Sequence, residues 1–193
     1  ARAIEKESWR VSPTWRTAGW TSRFAPVSRA HLTGSDSRSI AGPDGRSVLP
    51  AFSSVTAMSA WNPKARPVPA AGTRVALAAA SESTELVVLD PTSETEFAIR
   101  RPALWAIAQS VSWIPSYLDP DVLRAFMDAA APEPTVLAVT LAPGDPAARL
   151  AGPELVVRRA LIEGLDRASL DAVIARMQGR WAASEIITTR VDS

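Results

Sequence analysis

The sequence predicts an α+β fold: a mixed β-sheet with helices packed on it, ending in a strand–helix–strand unit. Three observations carry that expectation. From Val48 onward, short apolar runs bounded by turn residues alternate with stretches whose apolar residues recur at helical spacing. Apolar residues make up 47% of the 193, enough to bury a sizeable core in one domain or two small ones. Finally, Leu170, Val173, Ile174, Met177 and Trp181 form one helical stripe between two extended runs, 154–162 and 185–191.

In chain order, residues 48–52 are expected as a strand, with Pro50 marking it as an edge or a bulge. Ser53 or Ser54 caps a short helix on which Val55, Met58 and Trp61 recur. Asn62-Pro63 ends it, because the residue before a proline is pushed out of the helical region. Residues 66–70, with prolines at alternate positions, are extended, and 72–81 form a second helix with Val75 and Ala79 on one face. The run ELVVLDP is a buried strand, and EFAIR (96–100) alternates polar and apolar, so the two pair as a hairpin. Pro102 sits where a helix's first turn tolerates it, ahead of a stripe of Leu104, Ile107 and Ala108. Asp119-Pro120 repeats the device: Asp caps, Pro takes the first position, and Val122, Leu123, Phe126, Met127 and Ala130 follow. APEP, from Ala131, is a linker. Strands at 135–141 and 154–162 flank the loop APGDPAARLAGP, and Asp166 or Ser169 caps the closing helix. Three parts follow: an irregular, basic, Trp-rich segment at 1–41, an α+β domain at 42–131, and a β-β-α-β module at 132–193 packed with it.

The net charge is +1, so no whole-chain signal points to nucleic acid or a membrane surface. The balance hides an asymmetry, +4 over residues 1–41 and −3 over the rest. Three Trp and six Arg between residues 9 and 47 would suit a nucleic-acid arm, with Trp stacking on bases and Arg meeting phosphates. Its apolar residues keep no period, so it reads instead as a variable, poorly ordered segment without which the body folds. Cysteine is absent, which excludes disulfides and thiolate chemistry and fits a cytoplasmic location. No apolar run approaches the roughly 20 residues of a membrane span, and no signal-peptide core opens the sequence.

Catalytic machinery is not legible. His31 is the sole histidine and has no carboxylate at a telling spacing, so neither a triad nor a histidine metal site can be assembled. Asp119 and Asp121 resemble a divalent-cation pair, but their place ahead of Val122 suits capping better. No phosphate-cradling glycine loop occurs, and no cofactor or metal is expected. Arg100 and Arg101, ahead of a helix start, could hold an anion together with Arg66. Otherwise the pair is a solvated strand end. Trp105, Trp113 and Trp181 are expected in or near the core, and the loop holding Trp113 and Tyr117 around Pro115 is the place for an exposed aromatic patch.

The stretch VLPAFSSVTAMSAWNPKARPVP resembles the N-terminal domain of the SseB family, the enhanced serine sensitivity proteins, in the form common among actinobacteria. The likeness continues through ELVVLDP, FAIRRPALWAIAQ and WIPSYLDPDVL, then GPELVVRRALIEGLD and WAASEIITTRVDS, spanning 42–193. It implies an α+β intracellular protein of unknown biochemical activity, with no catalytic residues to carry over. The family's name comes from a phenotype in serine metabolism, loosely associated with a sulfurtransferase neighbour, and related domains occur among proteins thought to neutralise toxins by binding them. This chain departs where the family has an apolar strand near its start and Arg-rich residues stand instead. The family also usually continues past VDS. Together these observations favour a non-enzymatic module binding an unidentified protein partner, with no membrane and no nucleic acid outside residues 1–41. The rival is a binder of a small anionic metabolite at Arg66, Arg100 and Arg101, or an accessory to an enzyme of serine or sulfur metabolism.

Overall fold

The computed structural model describes residues 27–31, 40–42, 45–81, 84 and 86–192, with 27–31 and Ile40 described by backbone alone. Residues 1–26 and 32–39 of the Trp-rich stretch lie outside the described residues. Its strands are β1 (Val27–His31), β2 (Ile40–Ala41), β3 (Ser47–Phe52), β4 (Arg66–Ala70), β5 (Val87–Leu89), β6 (Phe97–Ile99), β7 (Val136–Pro143) and β8 (Leu155–Leu161). The α-helices are α1 (Val55–Trp61), α2 (Gly72–Ser81), α3 (Arg101–Gln109), α4 (Pro120–Ala130), α5 (Arg167–Ala182) and α6 (Glu185–Arg190), with a 3-10 turn at Ser116–Leu118. Strand order in the main sheet is β4-β1-β3-β5-β6, with β2 also pairing β3. The sheet is mixed: β3 and β5 run parallel and the other neighbours antiparallel. The α+β class therefore holds.

Two strands fall inside the stretch that reads as irregular. β1 lies between β3 and β4, pairing Arg29 with Ala51 on one side and with Val68 on the other. Five residues without a clear apolar alternation gave no local signal for it; the pairing is tertiary. β3 is consequently a central strand, not the edge that Pro50 suggests. The Leu49 N–H donates to the Leu86 carbonyl, on the β5 side, while the Arg46 carbonyl accepts from Gly42. Backbone groups alternate along a strand, so the Pro50 nitrogen faces the β1/β2 side. There β2 pairs only to Val48 and β1 only from Ala51 onward, leaving a gap that needs no donor.

β3 is buried on both faces, as a central strand with two covered sides must be. Leu49, Ala51 and Val87 pack under α2 and α3 with Val75, Ala76, Ala79 and Leu104. Val48, Val88 and Ala98 pack on the other side with Leu150, from the long loop between β7 and β8. Ser54 caps α1 by accepting from the Ala57 N–H, and Met58 and Trp61 close over Phe52, the two rings 5.2 Å apart. Asp90 ends β5 and holds the β3–α1 junction, its carboxylate accepting from the N–H and hydroxyl of Ser53.

β7 and β8 form a separate antiparallel ribbon, one face of which carries α4, α5 and α6. Val122 and Phe126 of α4, Leu155 and Ile187 make one cluster; Ala130, Val173 and Met177 make the next. Met127, expected in the α4 stripe, is exposed. Residues 185–190 are helical, where an extended return is expected. Ile186, Ile187, Thr188 and Thr189 are β-branched, which suggests a strand, but Ser184 accepts from the Ile187 N–H as N-cap and both threonine hydroxyls bond back to carbonyls one turn earlier. Ile187 is the one buried residue of this helix, its single apolar anchor.

Candidate functional site

Arg100 is the residue preceding α3 and its side chain is only 7% exposed. Its guanidinium donates to the Asp145 carboxylate (2.7 Å), to the Gly152 carbonyl (2.7 Å) and to the Asp192 carboxylate (2.9 Å). Asp192 also accepts from Arg46 at 3.0 Å, and its N–H donates to Glu154 at 2.9 Å. Burial pushes the Asp145 carboxyl up, but the Arg100 guanidinium and the N–H groups of Arg149 and Leu150 outweigh it and hold the group below the usual carboxylate range. Gly144 is needed beside this cluster, since a Cβ there would collide with the Pro153 carbonyl.

Arg101 donates to the carbonyls of Thr188 (3.1 Å) and Val191 (3.2 Å), at and just beyond the end of α6. Arg66 is exposed on β4, four strand spacings from β6, so roughly 19 Å separates the two edges. The three arginines do not converge. Arg100 and Arg101 instead bind the main sheet's α3 to the loop 144–154 and to residues 188–192, a buried charge seam rather than a solvated strand end. Asp145, Glu154, Asp192 and Arg46 belong to that seam, and no local pattern in the sequence marks them.

Asp119 caps α4, accepting from the Asp121 N–H at 2.9 Å, and its other oxygen accepts from Arg190 at 3.0 Å. Asp121 accepts from Arg124 and Arg190. Among the described residues no cluster of three or more His, Asp or Glu could hold a metal ion. A cleft of about 270 Å³ lies between α4, α5 and α6, lined by Asp121, Arg124, Asp128 and Arg180 among others, a lining of both charge signs. It contains none of the candidate arginines. His31 sits on β1 opposite Arg66, and its side chain is outside what the structure describes.

The stretch that joins α3 to α4 carries the aromatic surface. Ser110 takes a left-handed conformation (φ 57°) and its N–H and that of Val111 return to the carbonyls of Ile107 and Ala106. This closure folds Val111 back over the turn bearing Trp105 and Ala106. Trp105 (57% exposed) faces solvent instead of lying in or near the core, and Trp113 (39% exposed) takes the exposed alternative expected of its loop; Val111, Ile114 and Leu118 of the same stretch are exposed too. Tyr117 turns the other way, packing half-buried against the Val122–Phe126 cluster. Trp181 lies half-buried at the margin of the core, edge-on to Phe126 at 5.1 Å.

Residues 21–106 match the family model described as the SseB protein N-terminal domain. The match opens before β1, earlier than the residues that carry the visible likeness, and closes inside α3. No curated protein and no solved structure matches the chain.

Proposed function

From the premise that the chain carries an SseB N-terminal domain, we propose that it is a non-enzymatic module that binds a protein partner through the surface around Trp105 and Trp113. The observation that supports this reading most is the concentration of exposed apolar side chains in one short stretch: Trp105, Val111, Trp113, Ile114 and Leu118. Soluble proteins seldom leave several large apolar side chains together in water without a use for them. Tryptophan also contributes disproportionately to binding energy where it inserts into a partner. The stretch is held from both ends, by the left-handed closure of α3 and by the Asp119 cap of α4, so little ordering cost attaches to binding.

The rival reading, an anionic metabolite clamped by Arg66, Arg100 and Arg101, has less behind it. Arg100 is buried and committed to Asp145, Asp192 and Gly152, Arg101 reaches back to two carbonyls of its own chain, and Arg66 stands on the far edge of the sheet. The test is affinity capture from the native cells with mass spectrometry, comparing the wild type with the Trp113→Ser/Ile114→Ser double variant. A partner retained by the wild type should be lost by the variant, and the purified pair should titrate calorimetrically. Equal retention by both would move binding off this surface.

A further inference from the structure

The edges of the two sheets are protected unequally. An exposed strand edge is a row of unpaired N–H and C=O groups, and folds blunt it with proline, charge or cover. β4 carries Pro67 and Pro69 at alternate positions, which offer no donors. The outer side of β6 is covered, the Ala98 N–H donating to the Ala148 carbonyl at 2.6 Å. β8 carries Arg158 and Arg159. Between Ala138 and Ala142, β7 has neither proline nor charge; Pro143 and a bulge between Val136 and Ala138 blunt only its ends. From Val136 to its last residue, Pro143, it holds no charge and no other proline.

Its alternation is set by the Gly144 N–H, which donates to the Glu154 carbonyl at 3.0 Å. Counting back, Ala138, Thr140 and Ala142 face β8, while Val139 and Leu141 turn their N–H and C=O groups outward. Among the described residues no hydrogen bond between backbone groups reaches that outward side.

We propose that β7 pairs, edge to edge and antiparallel, with β7 of a second copy of this chain. Charge favours this occupant. An uncharged strand meets its own copy without repulsion, whereas self-pairing through β8 would bring Arg158 and Arg159 close to themselves. The register follows from two interruptions. A bulge lies between Val136 and Ala138, and Pro143 cannot donate, so the regular segment is 138–142 and its centre is Thr140. A two-fold axis at Thr140 sets Val139 opposite Leu141 on both sides, and these are the residues whose backbone groups point outward. Shifting the register moves the bulge or Pro143 inward from the ends of the ladder. At each end the pairing lays Leu137, 66% exposed, beside Pro143 of the second copy. The product is a continuous sheet, β8-β7-β7-β8, with the helices of both copies on one face.

Sedimentation equilibrium of the full chain tests this. The wild type should form a reversible dimer. Thr140 is exposed, so Thr140→Lys and Thr140→Glu should both keep the fold, yet each sets like charges face to face across the axis. Each alone should weaken association by about fivefold. An equimolar mixture should regain it, because Lys then faces Glu. A monomeric wild type, a dimer indifferent to both substitutions, or a mixture as weak as its components would each overturn the proposal.

Discussion

Glu133 is gripped by two guanidinium groups one helical turn apart on α5. Arg176 meets it at 2.7 and 3.0 Å and Arg180 at 2.7 Å, while Arg180 also caps the Ala129 carbonyl. The Arg176 hydrogen bond, then that of Arg180, outweighs the opposing effect of burial and lowers the Glu133 pKa from 4.5 to about 2. A carboxyl depressed in the folded state stabilises it above the unfolded pKa and loses that contribution as pH falls through the folded one. Stability should therefore drop between pH 4.5 and about pH 2. Glu133→Gln should be less stable at neutral pH and should flatten that part of an acid titration followed by denaturant midpoints; identical slopes in both proteins would contradict the linkage. None of this is visible in APEP, whose prolines suggest a solvated linker. The partners stand 43 and 47 residues downstream, so the contact exists only once α5 has docked.

At the scale of elements, capping and punctuation were the legible part. Ser54, Asp119 and Asp166 all cap as their positions suggest, and the hairpin of β5 and β6 pairs as its alternation implies. These signals are local, a side chain answering N–H groups two or three residues away. The α5 stripe was legible for the same reason. Met177 is fully buried and packs with Val173 and Ala130. Met177→Ala should cost about 2–5 kcal/mol in chemical denaturation, and a loss under roughly 0.5 kcal/mol would detach α5 from its cluster. What misled was β-branching in α6, apolarity in Trp105, and the loop position of Tyr117, which packs inward. Residue type alone does not say whether a helix cap overrides strand preference, nor on which side of a helix a neighbour will sit.

For the whole molecule, the apolar periodicities suggest that the chain from Gly42 onward folds as well as the full chain. The position of β1 reverses that expectation. Without it, β3 loses its neighbour at Ala51 and Phe52, and β4 loses every pairing it has. The shortened chain should melt at least about 5 °C lower, the shift expected for a loss near 2 kcal/mol in a protein of this size. Scanning calorimetry decides it, and an unchanged midpoint would make β1 dispensable. Sheet order was the least legible feature for the same physical reason: β1 and β4 meet through thirty-odd intervening residues that carry no mark of the meeting.

The charge seam has a kinetic consequence. Its contacts join residues far apart along the chain, Arg46 to Asp192 across 146 positions and Arg100 to Asp192 across 92. Closing loops of that length costs chain entropy before the contacts repay it, so these bonds are expected on the native side of the folding barrier. Interactions that are absent at the barrier leave the speed of folding almost untouched and act on the reverse step. Asp192→Asn should therefore speed unfolding far more than it slows refolding in stopped-flow measurements, and an equal change in both rates would place the seam earlier in folding.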